Sequence, residues 1–443
     1  MDRDALKPLY QQHLKQTVER YLESAQSEGK DGVLIAAGQL KTAFLDDSTY
    51  PFKVNPHFKN LVPITDVPDS FVLLRQDQKP QLLFHQPADY WHKTPEIPSG
   101  FWVEEWEITP VGQPADAHNH LGDPSSLSFI GEELGTANDF NIGSVNPGKI
   151  LDAVHYDRAY KTDYEIACLR AANVIAAKGH NAAKQAFEKG DSEFEIQQAY
   201  LAATEHREKE TPYSNIVALN DHCAILHYQF YEHQRPTSSA QFSMLIDAGA
   251  SFQGYAADVT RTYSAQSGLF SDLIVAMDEA QLAIISDIQV GMNYADLHSK
   301  MHQRLGHILK DFGIIDMSVD SMLETNVTFN FLPHGLGHFL GLQTHDVGGF
   351  QQDKQGTTRD APEKYPALRL VRPIENRQVF TIEPGLYFIP MLLDELRTSP
   401  LGKSVDWVKI ENLLPYGGIR IEDNVVIHND RVINLTREAF KEV

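Results

Sequence analysis

The sequence is poor in cysteine and has no long apolar segment. Only Cys168 and Cys223 are present among 443 residues, too few for a disulfide framework, so we predict a reducing, cytoplasmic environment and two small buried side chains. No apolar run approaches the ~18 residues that a membrane span requires. The polar start MDRDALKPLYQQHL lacks the apolar core of a signal peptide. A membrane protein and a secreted protein are both disfavoured.

Basic residues are also scarce relative to acidic ones. The chain has 38 lysines and arginines against 60 aspartates and glutamates, a formal net charge of −22 at pH 7. A surface of this sign favours solubility and repels the phosphate backbone of nucleic acids. We therefore predict that nucleic acid is not a partner.

The length and the order of predicted elements indicate two domains, because a single core rarely grows beyond roughly 250–300 residues. An amphipathic helix is predicted from Ala5 to about Glu28. Short strands are predicted after it at 31–38, 70–76, 81–85 and 127–132. Thr162 and Glu165 have the capping-box spacing that begins a further long helix. We place the boundary before that helix, with an α/β domain at 1–158 and a second domain at 159–443.

The second domain is predicted to consist of helices packed on a curved, mostly antiparallel sheet. A helix over 293–313 carries apolar residues on one face. Strands are predicted at 244–249, 255–264, 378–388 and 417–428. Two polar stretches, 351–366 and 391–407, are predicted to be surface loops, and loops of that length are often functional. The expected fold class is α+β.

Three histidines fall within the sixteen residues FLPHGLGHFLGLQTHD, at His334, His338 and His345. Two histidines four residues apart on one helix face often bind a metal ion. Here Gly335 and Gly337 lie between them, and each glycine costs a helix interior about 1 kcal/mol. The spacing therefore indicates a metal site but does not decide which histidine is the ligand.

Carboxylates on predicted strands could complete such a site. A hairpin can place Asp247 and Asp258 on one face, and strand alternation directs Arg420 and Glu422 to the same side of another strand. Glu383 shares this property only if its strand kinks. Taken singly, an aspartate at a strand end is usually a turn cap, and a glutamate beside an arginine is usually an ion pair.

Four carboxylates and one imidazole together can hold two divalent cations about 3.5–4 Å apart. The charges are balanced, since four carboxylates oppose two doubly charged ions. Oxygen-rich ligation favours a hard ion. We predict Mn²⁺, with Zn²⁺, Co²⁺ or Fe²⁺ as alternatives.

The order of motifs is more specific than any of its parts. D-x(10)-D, PHGLGHxxGLxxHD, TIEPG and GGIRIEDN follow one another, accompanied by FLDDSTYPFKVNPHFKNLVP and PYSNIVALN. The chain thereby resembles the metal-dependent prolidases, bacterial Xaa-Pro dipeptidases of the creatinase or pita-bread fold that are close to organophosphorus acid anhydrolases. The resemblance covers nearly the whole chain. It implies a pita-bread catalytic domain, an N-terminal domain for oligomerisation and pocket closure, and a homodimer, with a tetramer as the alternative.

The resemblance also implies a set of metal ligands, all of which are present. Asp258 and Glu422 would bridge two divalent ions. Asp247 would complete one ion, and His338 with Glu383 the other. The middle histidine of the three is then the ligand, and its neighbouring glycines let the backbone pass close to the site.

Further roles follow from the same resemblance. A bridging hydroxide would attack the scissile carbonyl of an Xaa-Pro dipeptide, and Glu383 would carry a proton to the departing proline nitrogen. His345 and His227 would stabilise the charge on the carbonyl oxygen, and Arg369 would bind the substrate carboxylate. The remaining substrate-binding positions are His334, Tyr213, Leu226, Tyr294, Asp46 and Arg420. We predict that the partner subunit supplies Asp46, and Arg420 has a second interpretation, in which it only orients Glu422.

Three alternatives remain at this stage. An aminopeptidase P needs room beyond the proline subsite, where loops 351–366 and 391–407 would instead close it. Hydrolysis of P–F or P–O triesters could accompany the peptidase as a side activity, because the same hydroxide attacks phosphorus. A non-catalytic binding protein of the creatinase fold should lack ligands, and this chain keeps all five.

Overall fold

The computed structural model describes residues 5–443, which divide into two compact units. The first unit extends to Cys168 and includes Phe252–Tyr255 and Gln351–Thr358. The second unit comprises Leu169–Ser251, Ala256–Phe350 and Arg359–Val443. None of the helices within residues 5–443 is long and apolar enough to cross a membrane.

The first unit is built around a six-stranded mixed sheet. Its strand order is β4-β3-β2-β1-β5-β6, in which β1 pairs antiparallel with β2 and parallel with β5. The predicted helix and all four predicted strands are present, because short apolar runs bounded by turns leave few alternatives. The elements are α1 Leu6–Ser27, β1 Gly32–Ala36, α2 Pro56–Lys59, β2 Phe71–Arg75, β3 Gln81–His85, β4 Glu107–Val111, β5 Leu127–Ile130, α3 Leu134–Asp139, β6 Ser144–Val145 and α4 Gly148–Arg158.

The capping box predicted at Thr162 is formed. The Thr162 amide donates to Glu165 Oε2 at 2.8 Å, and the Glu165 amide donates to Thr162 Oγ1 at 3.3 Å. Two amides at the helix start are thereby satisfied. The helix that follows is α5, Asp163–Glu188. Both cysteines are buried, as predicted.

The strands in the rest of the chain pair antiparallel in small sheets, with helices around them. One sheet has the order β11-β8-β7, another β12-β15-β16, and β13 pairs with β14. The helices are α6 Glu193–Thr204, α7 Leu269–Ser286, α8 Tyr294–Asp311, α9 Val319–Glu324, α10 Pro390–Thr398, α11 Trp407–Leu413 and α12 Leu435–Glu442. The strands are β7 Ile216–Leu219, β8 Ser243–Asp247, β9 Ser251–Phe252, β10 Tyr255–Ala256, β11 Thr260–Ser264, β12 Val379–Ile382, β13 Gly385–Tyr387, β14 Gly418–Arg420, β15 Asp423–His428 and β16 Arg431–Asn434.

Two predictions for this half of the chain were wrong. The strand predicted at 255–264 is split in two, because β10 covers only Tyr255–Ala256, β11 begins at Thr260, and residues 257–259 between them belong to no strand. The loop predicted at 391–407 is largely helical. Pro390 occupies the first turn of α10, and its buried leucines three residues apart supply the apolar face that a short helix needs.

Helix α8 buries two histidines together with its apolar face. His298 and His302 are 2% and 1% exposed, and their Nε2 atoms are 3.2 Å apart. Burial lowers the pKa of His302 to about 4, and it lowers the pKa of His298 to about 2. Both rings are therefore neutral in the folded protein at pH 7. Phe312, within the range predicted for this helix, lies just after its last residue and is only half-buried.

This burial predicts acid sensitivity of the fold. The unfolded chain protonates a histidine near pH 6.5, whereas folded His302 does so only near pH 4, so stability is lost as pH falls between these values. The expected contribution of His302 to this loss at pH 5 is about 2 kcal/mol. Denaturant unfolding at pH 7 and pH 5 should show a smaller loss in His302→Gln than in the wild type. The exposed control His92→Gln should keep the full loss, and equal losses in both variants would contradict the prediction.

Candidate metal centre and active site

Strand pairing brings Asp247 to one end of the sheet formed by β7, β8 and β11. Asp247 is the last residue of β8 and pairs with Thr260, the first residue of β11. Asp258 precedes β11 by two residues, so it keeps the parity of Thr260 although it lies outside the strand. The amide of Asp258 donates to the side-chain oxygen of Asn424 at 3.1 Å, and the Asn424 amide group donates back to the Asp258 carbonyl.

The glycine-rich histidine segment lies directly beside β12. The Thr381 amide donates to the His338 carbonyl at 3.0 Å, and the His338 amide donates to Thr381 Oγ1 at 3.1 Å. A Cβ atom on Gly337 would lie 2.2 Å from the Thr381 carbonyl oxygen and 2.3 Å from the Tyr294 hydroxyl. Glycine is therefore required at this position because the two backbones approach too closely for a side chain.

Glu383 and Glu422 both lie where a strand is interrupted. β12 ends at Ile382 and β13 begins at Gly385, so Glu383 and Pro384 form the kink that the sequence required. β14 likewise ends at Arg420, and the Glu422 backbone then bridges to Thr260. These interruptions let the Glu383 and Glu422 side chains both point towards His338 and Asp258.

The predicted ligand side chains converge. Ligand atoms of Asp258, His338 and Glu422 all lie within 4.8 Å of one another. His338 Nε2 is 3.4 Å from Asp258 Oδ2 and 3.5 Å from Glu383 Oε1. The Tyr213 hydroxyl lies 2.7 Å from Asp247 Oδ1 and 2.6 Å from Asp258 Oδ1, so Asp247 belongs to the same cluster.

The cluster is electrostatically unfavourable without a cation. Burial, together with the charges of Asp258 and Glu383, raises the pKa of Glu422 well above its usual value. Burial and the Asp258 charge likewise raise the pKa of Glu383 to about 7. Buried carboxylates in contact cannot all stay ionised unless positive charge joins them.

The donor set suits a divalent cation on two further counts. Glu422 Oε2 accepts from the Thr260 hydroxyl at 2.7 Å, whereas Glu422 Oε1 is buried and has no hydrogen-bond partner among residues 5–443. His338 Nδ1 lies 2.9 Å from the Phe339 carbonyl, so Nδ1 carries a proton, and Nε2, which faces the carboxylates, is the nitrogen that would bind a cation. Fixing the outer nitrogen in this way is typical of ligating histidines.

A chain of hydrogen bonds runs along one side of the cluster. Arg420 Nη2 donates to Asp247 Oδ2 at 2.8 Å, and Arg420 Nη1 donates to the Tyr387 hydroxyl at 2.9 Å. That hydroxyl is 2.9 Å from His334 Nε2, while His334 Nδ1 donates to the Gly335 carbonyl at 2.8 Å. Arg420 thus binds Asp247 directly, and it reaches Glu422 only through the Thr260 hydroxyl, which lies 3.4 Å from Arg420 Nε and donates to Glu422 Oε2 at 2.7 Å. Arg420 and Glu422 are only two apart in sequence, but β14 ends between them.

The cluster forms one side of a cavity of about 500 Å³. Of the predicted substrate-binding residues, the lining includes Leu226, His227, His334, His345, Arg369 and Arg420. The His345 ring meets the His338 ring edge to face at 4.3 Å between centroids. Burial lowers the pKa of His345 to about 4, so its ring is neutral at pH 7. The Arg369 guanidinium makes no hydrogen bond or ion pair within residues 5–443.

Three predicted substrate-binding residues do not line the cavity. Tyr213 contacts the carboxylates described above and is not part of the cavity lining. Tyr294 is fully buried and donates to the Thr381 carbonyl at 2.7 Å, so it supports the backbone that carries His338. Asp46 is exposed in the first unit, where it accepts from the Ser48 hydroxyl at 2.8 Å.

The sequence analysis missed three residues that hold this site together. Tyr387 links Arg420 to His334, Thr260 binds Glu422, and Asn424 fixes the backbone of Asp258. Two of them could have been noticed, because Tyr387 lies two residues after the TIEPG motif and Asn424 is the last residue of GGIRIEDN. Their partners are remote in sequence, which is why no local pattern identifies them.

Comparison with known proteins agrees with these observations. Residues 8–156 match the model of the Xaa-Pro dipeptidase N-terminal domain, and residues 167–429 match the model of metallopeptidase family M24. A protein of Aeromonas hydrophila named Xaa-Pro dipeptidase is 49% identical over 97% of this chain and 98% of its own length. One of Pseudoalteromonas translucida with the same name is 47% identical over 98% of this chain and 99% of its own.

A solved structure, zinc-substituted E. coli aminopeptidase P in complex with product, superposes with a TM-score of 0.72. The identity is 22%, and the match covers 98% of this chain and 95% of the other, so the likeness concerns the fold. It confirms the predicted fold class. The predicted family is confirmed as well: the chain belongs to metallopeptidase family M24 and carries the N-terminal domain of the Xaa-Pro dipeptidases.

Proposed function

We propose that this protein hydrolyses Xaa-Pro dipeptides at a centre of two divalent metal ions. The observation that carries the proposal is the convergence of four carboxylates and His338 Nε2 on one side of a cavity that also contains an unpaired guanidinium, that of Arg369. Relatives at 49% and 47% identity that bear the name Xaa-Pro dipeptidase support the substrate class.

The proposed ligands divide into two overlapping sets. Asp258 and Glu422 belong to both, Asp247 to one, and His338 with Glu383 to the other. Mn²⁺ suits this oxygen-rich donor set, and Zn²⁺, Co²⁺ and Fe²⁺ are the alternatives. When bound, such ions supply Lewis acidity and make a water molecule nucleophilic at neutral pH.

The protein's own side chains handle protons and charge. Glu383, whose Oε1 lies 3.5 Å from His338 Nε2, is proposed to accept a proton from the attacking water and transfer it to the departing proline nitrogen. His345 and His227 line the same cavity and can donate hydrogen bonds to an oxygen that gains negative charge. The nitrogen of an Xaa-Pro peptide bond carries no hydrogen, so substrate recognition cannot depend on a hydrogen-bond donor at that atom.

Recognition of a dipeptide requires a partner for its terminal carboxylate. Arg369 is proposed for this role because a guanidinium fork binds a carboxylate through two parallel hydrogen bonds. His334, Arg420 and Leu226 contribute further surface of the cavity. We also propose a cytoplasmic homodimer in which the partner subunit supplies Asp46, with 1–158 and 159–443 as the two domains.

The proposal is tested by steady-state hydrolysis of Ala-Pro, Ala-Pro-Ala and a P–F triester with protein reconstituted with Mn²⁺. We expect efficient cleavage of Ala-Pro, loss of activity with a chelator and recovery on adding metal. A triester activity would be a side reaction of the same centre. Equal rates on the dipeptide and the tripeptide would point to an aminopeptidase P, and no cleavage of either would contradict the proposal.

A further inference from the structure

One wall of the cavity is an irregular segment, Pro362–Arg369, which we call the strap. Its last four residues, Pro366, Ala367, Leu368 and Arg369, all line the cavity. The strap contains no helix or strand. Two turns shape it instead, in which the Tyr365 amide donates to the Pro362 carbonyl at 2.7 Å and the Leu368 amide donates to the Tyr365 carbonyl at 3.1 Å.

The strap lies directly against the segment that carries His334. A Cβ atom on Gly335 would lie 2.8 Å from the Ala367 carbonyl oxygen and 3.1 Å from Leu368 Cα. Leu368 itself is 1% exposed. Only a glycine allows this approach. The strap backbone therefore touches the backbone at Gly335 and cannot move further towards the cavity.

On its other side the strap is held by the ring of Tyr365. That ring lies parallel to those of His302 and Phe329, each 5.8 Å away at 13° and 15°, and meets His298 edge to face at 4.7 Å. His302 and Phe329 in turn stack at 4.3 Å. Offset-parallel and edge-to-face arrangements are the favourable geometries for such rings. We call these three partner rings the aromatic slot.

Little else fixes the exposed side of the strap. Pro366, Ala367 and Arg369 are exposed. Lys364 Nζ donates to the Leu323 carbonyl at 3.1 Å, an exposed contact that water can replace. The buried Leu368 side chain thus fixes the strap towards the protein interior, and the ring of Tyr365 in the aromatic slot fixes it on its other side.

We propose that Tyr365 is a positioning residue for substrate length: seated in the aromatic slot, it holds the strap so that the cavity ends after the residue that follows the scissile bond. This inference rests on the proposed function and deepens it. A dipeptide ends where the strap begins, whereas a tripeptide has one more residue that would have to displace it. Arg369 is the last residue of the strap, so the contact of Tyr365 with the aromatic slot also fixes where the Arg369 guanidinium binds a terminal carboxylate.

The test compares kcat/KM for Ala-Pro and Ala-Pro-Ala in three variants loaded with Mn²⁺. Tyr365→Ala empties the aromatic slot, and its preference for the dipeptide should fall roughly tenfold, within the range that shape discrimination supplies. Tyr365→Phe keeps the ring and should keep the preference, because the Tyr365 hydroxyl has no hydrogen bond within residues 5–443. Trp407→Ala removes another half-buried aromatic ring, outside the cavity, and should also leave the preference unchanged.

The ratio of the two substrates separates positioning from stability. A general loss of folding lowers both rates together, whereas a displaced strap changes their ratio. If Tyr365→Ala does not fold, Gly335→Ala gives a second route, since its Cβ pushes the strap away from the opposite side and should lower the ratio in the same direction. An unchanged ratio in a folded variant of either kind overturns the inference. Failure of the wild type to cleave Ala-Pro would instead overturn the proposed function.

Discussion

Glu422→Gln is expected to abolish hydrolysis of Ala-Pro and to lower the bound metal content. Glu422 Oε2 keeps its hydrogen bond from Thr260 in either form, whereas Oε1 is buried without a hydrogen-bond partner in residues 5–443. An amide at that place removes one of the four charges that balance two divalent ions and can turn an N–H group towards the metal. We expect a loss of roughly a thousandfold in kcat, which corresponds to about 4 kcal/mol.

The measurement pairs kinetics with metal analysis of the purified variant. The matched control is Glu165→Gln, which also converts a buried, hydrogen-bonded glutamate into an amide but at the start of α5. It should retain metal and activity. In metal-free protein, Glu422→Gln should be at least as stable as the wild type, because it removes a buried charge from a repelling cluster. Full activity with full metal content in the variant would exclude Glu422 from the metal centre.

The second large effect is expected at Arg369, whose guanidinium lines the cavity without a partner in residues 5–443. Arg369→Ala should lower kcat/KM for Ala-Pro by roughly 10- to 100-fold, the equivalent of a hydrogen bond between charged groups. The loss should appear mainly in KM, since the carboxylate is bound in the ground state as well as in the transition state. Arg369→Lys should recover only part of it, because an ammonium cannot form the two parallel bonds.

A substrate without the carboxylate distinguishes this role from a structural one. Ala-Pro amide should be a poor substrate of the wild type, and Arg369→Ala should cleave it at nearly the same rate as the wild type does. Arg397→Ala is the matched control, because Arg397 is an exposed arginine that pairs with Glu411 outside the cavity. An equal loss on the dipeptide and its amide would contradict carboxylate recognition by Arg369.

Much of the proposed metal cluster could be predicted because its four carboxylates lie in or next to strands. Alternation along a strand decides on which side a residue points, and so it grouped Arg420 with Glu422 correctly. The same rule placed Asp258 correctly although that residue is not in a strand, because extended backbone keeps the two-residue period. The kink at Glu383 was required by its neighbour Pro384, which has no amide hydrogen for a sheet.

The contacts that hold the site could not be read in this way. Arg420 was predicted to bind substrate, with the orientation of Glu422 as its second interpretation, and nothing in the sequence indicated its direct ion pair with Asp247, more than 170 residues away. The stretch 391–407 was predicted to be a loop although Leu393 and Leu396 have helical spacing, and α10 forms because tertiary packing buries these two leucines. Tyr365 lies in another polar stretch and was not predicted to have a role, since nothing near it in sequence indicates the aromatic slot.

The sequence by itself determined the chemistry available to this protein: the order and spacing of its carboxylates and histidines, the strands that present them, and the glycines that let those strands approach. These are local properties, governed by backbone periodicity and by the steric limits of single residues. Only the tertiary structure decided the partner of each polar group, the shape of the cavity and the position of the strap. Those depend on packing between segments far apart in the chain, where many pairings satisfy the same local pattern and close contact selects one.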